Sequence, residues 1–347
     1  MVVMSDRADP FGVGGVNDPE VLMEFLTVEW IGKPAWMWAG FLVVVAGLLV
    51  FDLGVLHRKA HEIGVRESLL LSAFYIAVAL LFGAWVWVRL GAGSGLDYLT
   101  GFAIEKSLAM DNVFVIAMIF SAFGIPRLHQ HRVLFWGVLG VIVLRAVMIA
   151  AGAALVSRYE WALYVFAGFL IFTGGRMIAT SPGEEATTGQ GIVRWLRRHM
   201  PVTDGLQGAR FFVREPNEAG RLIWHATPLF LALVTIEFAD VIFAVDSVPA
   251  IFAITTDPYI VYTSNIFAIL GLRALYFALA AVIHRFAYLK QALAILLVFI
   301  GGKVIAAPLM GLEKFPPAIS LGVTAAILAA GILWSMWKTR AETRADT

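Results

Sequence analysis

The stretch IEFADVIFAVDSVPAIFAIT, Ile236–Thr255, decides the fold. It belongs to an apolar run over about 227–253, and a helix of about 20 mostly apolar residues crosses the hydrocarbon core of a bilayer. Lipid offers backbone N–H and C=O groups no partner, so such a run crosses as a helix. Yet Glu237, Asp240 and Asp246 sit inside it. Ionisable groups at membrane depth are costly enough to mark function by default. The stretch therefore reads as a membrane helix that carries chemistry.

Outward from it, eight further stretches pass the same length test, near 36–56, 69–90, 98–124, 133–156, 159–178, 262–283, 288–307 and 317–337. The expected fold is all-α, a polytopic membrane protein of about nine transmembrane helices. Hydrophobic residues make up 60% of the chain and charged ones 15%, with mean hydropathy +0.82; soluble domains carry about a quarter charged residues. Cysteine is absent, which excludes disulfides, thiolate metal sites and cysteine nucleophiles. The first apolar run follows an acidic segment, the wrong flank for a signal peptide, so it reads as a retained span.

Lys and Arg set the direction of threading. With the N-terminus outside, 17 of the 26 basic residues fall in inner segments and 5 in outer ones, leaving Lys106, Arg145, Arg273 and Lys303 within spans. The location expected is a bacterial inner membrane, with the C-terminus cytoplasmic. Residues 1–35 form an N-terminal extracytoplasmic segment, 36–337 the transmembrane transporter domain and 338–347 a cytoplasmic tail. The long connection 181–226 is cytoplasmic and contains IVRWLRRHM, Ile192–Met200, a basic amphipathic segment suited to lying on headgroups.

Three paired segments recur in order. EKSLAMDNV (Glu105–Val113) matches DVIFAVDSV (Asp240–Val248), Leu144-Arg145-Ala146 matches Leu272-Arg273-Ala274, and FTGGRMI (Phe172–Ile178) matches FIGGKVI (Phe299–Ile305). The offsets are 135, 128 and 127 residues. Three spans separate the copies, so the second runs through the membrane in the opposite sense: a 3+3 inverted repeat of spans 3–5 and 6–8. Transporters built this way hold substrate near the midplane at the repeat interface. Glycines in the matched spans suit close helix packing.

The intramembrane charges cluster on spans 3, 4, 6 and 7. Glu105 and Asp111, like Asp240 and Asp246, are six residues apart, which on a straight helix is about 9 Å of rise and about 120° of rotation. One ion cannot bridge such a pair unless the helices cross or one unwinds. Pro249 is the expected helix break, since it cannot donate to the carbonyl of Val245. The candidate metal-binding residues are Glu105, Asp111, Asn112, Glu237, Asp240, Asp246 and Ser247. Their carboxylate, amide and hydroxyl oxygens suit Mg²⁺, Ca²⁺ or Mn²⁺ rather than Zn²⁺. Every histidine falls in a loop or at a span end. Met110 is packing, or a thioether ligand that would favour Mn²⁺ over Ca²⁺. Lys106, Arg145 and Arg273 are candidates for structural ion pairs, and Asp52 reads as interfacial. Core acids outnumber core bases, so the excess offers proton-exchange sites.

At EKSLAMDNVFV, IEFADVIFAVDSVPAIFAIT and TSNIFAILGLRALYF (Thr263–Phe277), the sequence resembles the TerC family of bacterial membrane proteins, from about Trp36 to the last span. Many members of that family resemble manganese exporters and belong with the LysE-type transporter superfamily. The resemblance implies Mn²⁺ efflux, with the family's acidic residues on Glu105, Asp111, Glu237, Asp240 and Asp246. The expected cargo is Mn²⁺ or Ca²⁺, the counter-ion protons, the surroundings lipid; no resident cofactor and no nucleic acid are implied. Three rivals remain. An intramembrane aspartyl protease would place its acids in a GxGD segment, which neither Asp111 nor Asp246 has. An exporter of amino acids or oxyanions would rely on Arg145, Arg273 and helix N-termini. A scaffold acting through 181–226 would leave the core carboxylates dispensable.

Overall fold

The computed structural model describes residues 27–56, 65–159, 161–179, 195, 198–203, 205–216, 221–280, 289–312 and 315–345. A short hairpin of β1 (Glu29–Trp30) and β2 (Lys33–Pro34) leads into α1 (Ala35–Leu56). There follow α2 (Val65–Leu90), α3 (Ala92–Ala122), α4 (Arg127–Arg158) and α5 (Trp161–Ala179). A second hairpin, β3 (Phe212–Pro216) and β4 (Leu222–Ala226), precedes α6 (Pro228–Phe252). The chain then forms α7 (Pro258–Leu270), α8 (Leu272–Ala280), α9 (Leu289–Leu309) and α10 (Pro317–Ala345).

Among the described residues, 8 helical stretches are long and apolar enough to cross a membrane, α7 and α8 counting together. The expected third span is α3, 31 residues long, which Asp97, Glu105, Lys106 and Asp111 keep from being comparably apolar. Large apolar side chains point outward, with Val43 70%, Leu81 71% and Val88 81% exposed. Water would penalise such a surface, whereas lipid is its matching solvent. This is an all-α polytopic membrane protein.

Four elements depart from the sequence reading. GAGSGL, Gly91–Leu96, read as a loop, is the first turns of α3; the reversal from α2 takes place at Gly91, whose φ of 91° a side chain would resist. Pro249 does not break its span, because α6 continues through it to Phe252. It stands in the last turn, where its one missing hydrogen bond interrupts little further helix. The discontinuity falls instead in span 7, at Gly271 between α7 and α8. A Cβ there would lie 2.8 Å from Lys106 Nζ and 3.1 Å from Tyr75 Cβ, so the glycine lets two neighbouring helices close in. The connection before α6 also holds the antiparallel β3–β4 hairpin, with Arg214 opposite Trp224; the turn-forming PNEAG segment (Pro216–Gly220) was its signal.

Glycines set the helix packing. At Gly174 of α5 a Cβ would lie 2.6 Å from the Ala294 carbonyl of α9, and at Gly301 of α9 one would lie 2.5 Å from the Ala167 carbonyl of α5. Both pairs obey the 127-residue offset of the repeat, since Gly174 corresponds to Gly301 and Ala167 to Ala294. The two helices therefore meet through equivalent surfaces and run antiparallel. Along α4 and α6, Gly140 abuts Glu237 and Gly152 abuts Phe252, so these helices run parallel. The N-terminus of α7 is capped by Asp257, which accepts from Tyr259 N at 3.0 Å and pairs with Lys33 at 2.8 Å.

Candidate ion site in the helix core

Arg145, halfway along α4 and 1% exposed, is the hub of the site. Its Nη1 lies 2.8 Å from Glu105 Oε1 of α3. The same nitrogen donates to Ser247 Oγ of α6 at 2.5 Å and to Asn265 Oδ1 of α7 at 3.2 Å. Nε and Nη2 donate to the two oxygens of Asp240, on α6, each at 3.2 Å. Asn265 Nδ2 in turn donates to Glu105 Oε2 at 3.2 Å. Four helices thus converge on one guanidinium, and all five groups are buried. Its rigid fork of donors suits this convergence better than an ammonium would. Two acidic side chains share one arginine, and buried groups of this kind persist only when each partner is hydrogen-bonded.

Beside the cluster lies a cavity of about 30 Å³ with mostly apolar walls, among them Val141 of α4 and Ile269 and Leu272 on either side of the span 7 break; Asn112 of α3 and Asp240 of α6 are its polar residues. That is room for at least one water molecule. Glu237, one turn before Asp240 on α6, rests its carboxylate against the bare backbone of Gly140, where a Cβ would come within 2.3–2.7 Å. Among the described residues it has neither a hydrogen bond nor an ion pair. Lys106 of α3 donates from Nζ to the Ala268 carbonyl of α7 at 3.1 Å. That carbonyl sits in the last turn of α7, where helix acceptors lose their intrahelical partners.

The structure therefore brings Glu105, Asp240 and Ser247 together around Arg145 and sets Asn112 and Glu237 at the adjoining cavity and helix face. It does not join Arg273 to them. Arg273 bonds instead to the side chain and backbone carbonyl of Asp52 on α1, while its Nη1 is left without a partner among the described residues. Asp52, expected at the interface, is 9% exposed. The side chains of Asp111, Asp246 and Met110 lie outside the described residues, as do the segment before residue 27 and part of 181–226. Among the described residues, no three His, Asp or Glu side chains converge as a metal-holding group. The sequence reading missed Asn265; a polar residue in the middle of a span, within TSNIFAILGLRALYF, was its signal.

An all-α membrane body around an acid-rich core places the molecule among polytopic integral membrane proteins. The chain belongs to the integral membrane protein TerC family, whose sequence model matches residues 90–343. It is 48% identical over 310 residues to an uncharacterized membrane protein of Myxococcus xanthus, covering 89% of this chain and 94% of that one. To the "Putative membrane-bound redox modulator Alx" of Salmonella typhi it is 47% identical over 316 residues, covering 88% and 95% respectively. To an uncharacterized membrane protein of Rickettsia bellii it is 44% identical over 299 residues, covering 86% and 96%. No solved structure matches the chain.

Proposed function

We propose that this protein exports a divalent cation, Mn²⁺ in preference to Ca²⁺, by alternating access across a bacterial inner membrane. The observation that carries this reading is the buried set of Glu105, Asp240, Ser247 and Asn265 oxygens drawn from three helices, with the Asn112-lined cavity and Glu237 beside it. Hard oxygen ligands in excess of their basic partners attract a hard cation and repel an anion. An oxyanion exporter would rely on the core guanidinium groups, whereas each core arginine is paired with an acid and only Nη1 of Arg273 is unpartnered among the described residues. The equivalent contacts of α5 with α9 support two inverted halves, with a cation site at the interface between their leading helices. Asp111 and Asp246 complete the ligand set, protons exchange as the counter-ion, and the chain is a carrier rather than an enzyme. The N-terminus lies outside and the C-terminus in the cytoplasm, following the basic-residue bias. Redox chemistry by thiol–disulfide exchange is unavailable to a chain without cysteine.

The deciding experiment is uptake of radiolabelled Mn²⁺ into inside-out vesicles under a proton gradient, for wild type, Asp111→Asn, Asp240→Asn and Asp246→Asn, with Ca²⁺ as competitor. The expected result is uptake by wild type and its loss in all three variants at equal expression. Wild-type vesicles that accumulate no Mn²⁺, or variants that match wild type, would overturn the reading.

A further inference from the structure

Three oxygens from three helices, Glu105 Oε1, Ser247 Oγ and Asn265 Oδ1, surround the single nitrogen Nη1 of Arg145 at 2.5–3.2 Å. The remaining two donors of the guanidinium take both oxygens of Asp240. The three around Nη1 are carboxylate, hydroxyl and amide oxygens, the kind a divalent cation takes at about 2.1–2.6 Å, while Asp240 stands at the opposite edge of the guanidinium. A cation that took the three oxygens around Nη1 would occupy the place of that nitrogen, so the two cannot be bound together. Arg273, the equivalent of Arg145, lies outside the cluster and is held by Asp52.

We propose that Arg145 is a tethered competitor of the transported cation: its guanidinium and the cation are mutually exclusive occupants of the Glu105, Ser247 and Asn265 oxygens, and Asp240 anchors the guanidinium in that place. Cation entry then displaces the guanidinium, and its return expels the cation and neutralises the acids. Affinity is thereby held down, as a carrier that must release its cargo needs. This inference rests on the reading of the core as a cation site. A purely structural ion pair differs from it in one respect, since removing a structural arginine loosens the ligand shell and weakens cation binding, whereas removing a competitor tightens it.

The test is Mn²⁺ binding to the purified full-length protein in nanodiscs, by calorimetry, for wild type, Arg145→Lys and Arg145→Ala, with thermal melting as the check of fold. Lysine keeps the charge but lacks the fork that grips both Glu105 and Asp240. The expected result is Mn²⁺ binding at least about tenfold tighter in Arg145→Lys, since it forfeits a charge-assisted bond to Asp240, and tighter again in Arg145→Ala. In the alanine variant, millimolar guanidinium chloride should raise the apparent Kd competitively, with no such effect on wild type. If Arg145→Ala does not stay folded, Arg145→Lys decides alone. Wild-type binding with equal or weaker affinity in the folded variants overturns the competitor role and leaves the cation reading standing. No Mn²⁺ or Ca²⁺ binding by any of the three proteins overturns both.

Discussion

Neutralising Asp240 should cost measurable stability, and the cost should depend on Arg145. Asp240→Asn preserves the shape of the side chain but removes the charge that faces Nε and Nη2 at 3.2 Å each. Two unit charges about 4 Å apart at an effective dielectric of about 20 attract by about 4 kcal/mol, an upper bound. Arg145 keeps Glu105 at 2.8 Å together with Ser247 and Asn265, so the loss should be nearer about 2 kcal/mol, the scale of a hydrogen bond to a charged group. Arg145→Gln is the harsher change, because it strands Glu105 and Asp240 at 2% and 7% exposure; breaking a buried pair from this side costs about 3–5 kcal/mol. In the double variant the Asp240–Arg145 interaction is lost only once. Its cost should stay within that same range of about 3–5 kcal/mol, a coupling of about 2 kcal/mol. The assay is equilibrium unfolding of the detergent-solubilised protein, followed by tryptophan fluorescence, as a double-mutant cycle. Effects that add to within about 0.5 kcal/mol would refute the argument, since residues in direct contact must couple.

Three further outcomes follow from the packing. Gly174→Leu and Gly301→Leu each drive a side chain into a backbone carbonyl 2.5–2.6 Å from the Cβ position. Each should destabilise by about 1–3 kcal/mol in the same unfolding assay, while Gly302→Leu, with nothing within 4 Å, should leave stability nearly unchanged. Gly140→Ala should push the Glu237 carboxylate from its seat and lower Mn²⁺ uptake several-fold with less than about 1 kcal/mol of lost stability; full uptake would show that this seat is dispensable. Asp52→Asn removes the anion that holds Arg273 and should cost about 2–4 kcal/mol, read as an earlier unfolding midpoint. Asp52→Asn unfolding at the wild-type midpoint would mean that this pair contributes nothing net.

Helical class, most of the spans and the identity of most core charges were legible in the sequence, because lipid imposes a length and an apolarity; of the nine expected spans, eight pass that test among the described residues, and the charged α3 does not. The paired EKSLAMDNV and DVIFAVDSV segments also pointed to the helices that would meet, and α3 and α6 do supply Glu105 and Asp240 to one cluster. Which acid would meet which arginine could not be read off. Spacing along one helix gives a face, but pairing depends on how neighbouring helices cross, and glycines at Gly140, Gly271 and Gly301 settle that by admitting a neighbour's atoms where a Cβ would stand. The repeat alone would give Arg145 and Arg273 equivalent partners. Only the tertiary structure separates them, because α1 brings Asp52 to Arg273, leaving Arg145 to hold Glu105 and Asp240. Likewise a proline can be recognised anywhere in a sequence, but whether it breaks a helix depends on where the helix ends; Pro249 falls in the last turn of α6, and the break appears at Gly271, where Lys106 needs the space. The sequence by itself determined a membrane-spanning helical body with acids at its centre, since solvent alone dictates that much. The match between particular charges was decided by packing, which no single segment contains.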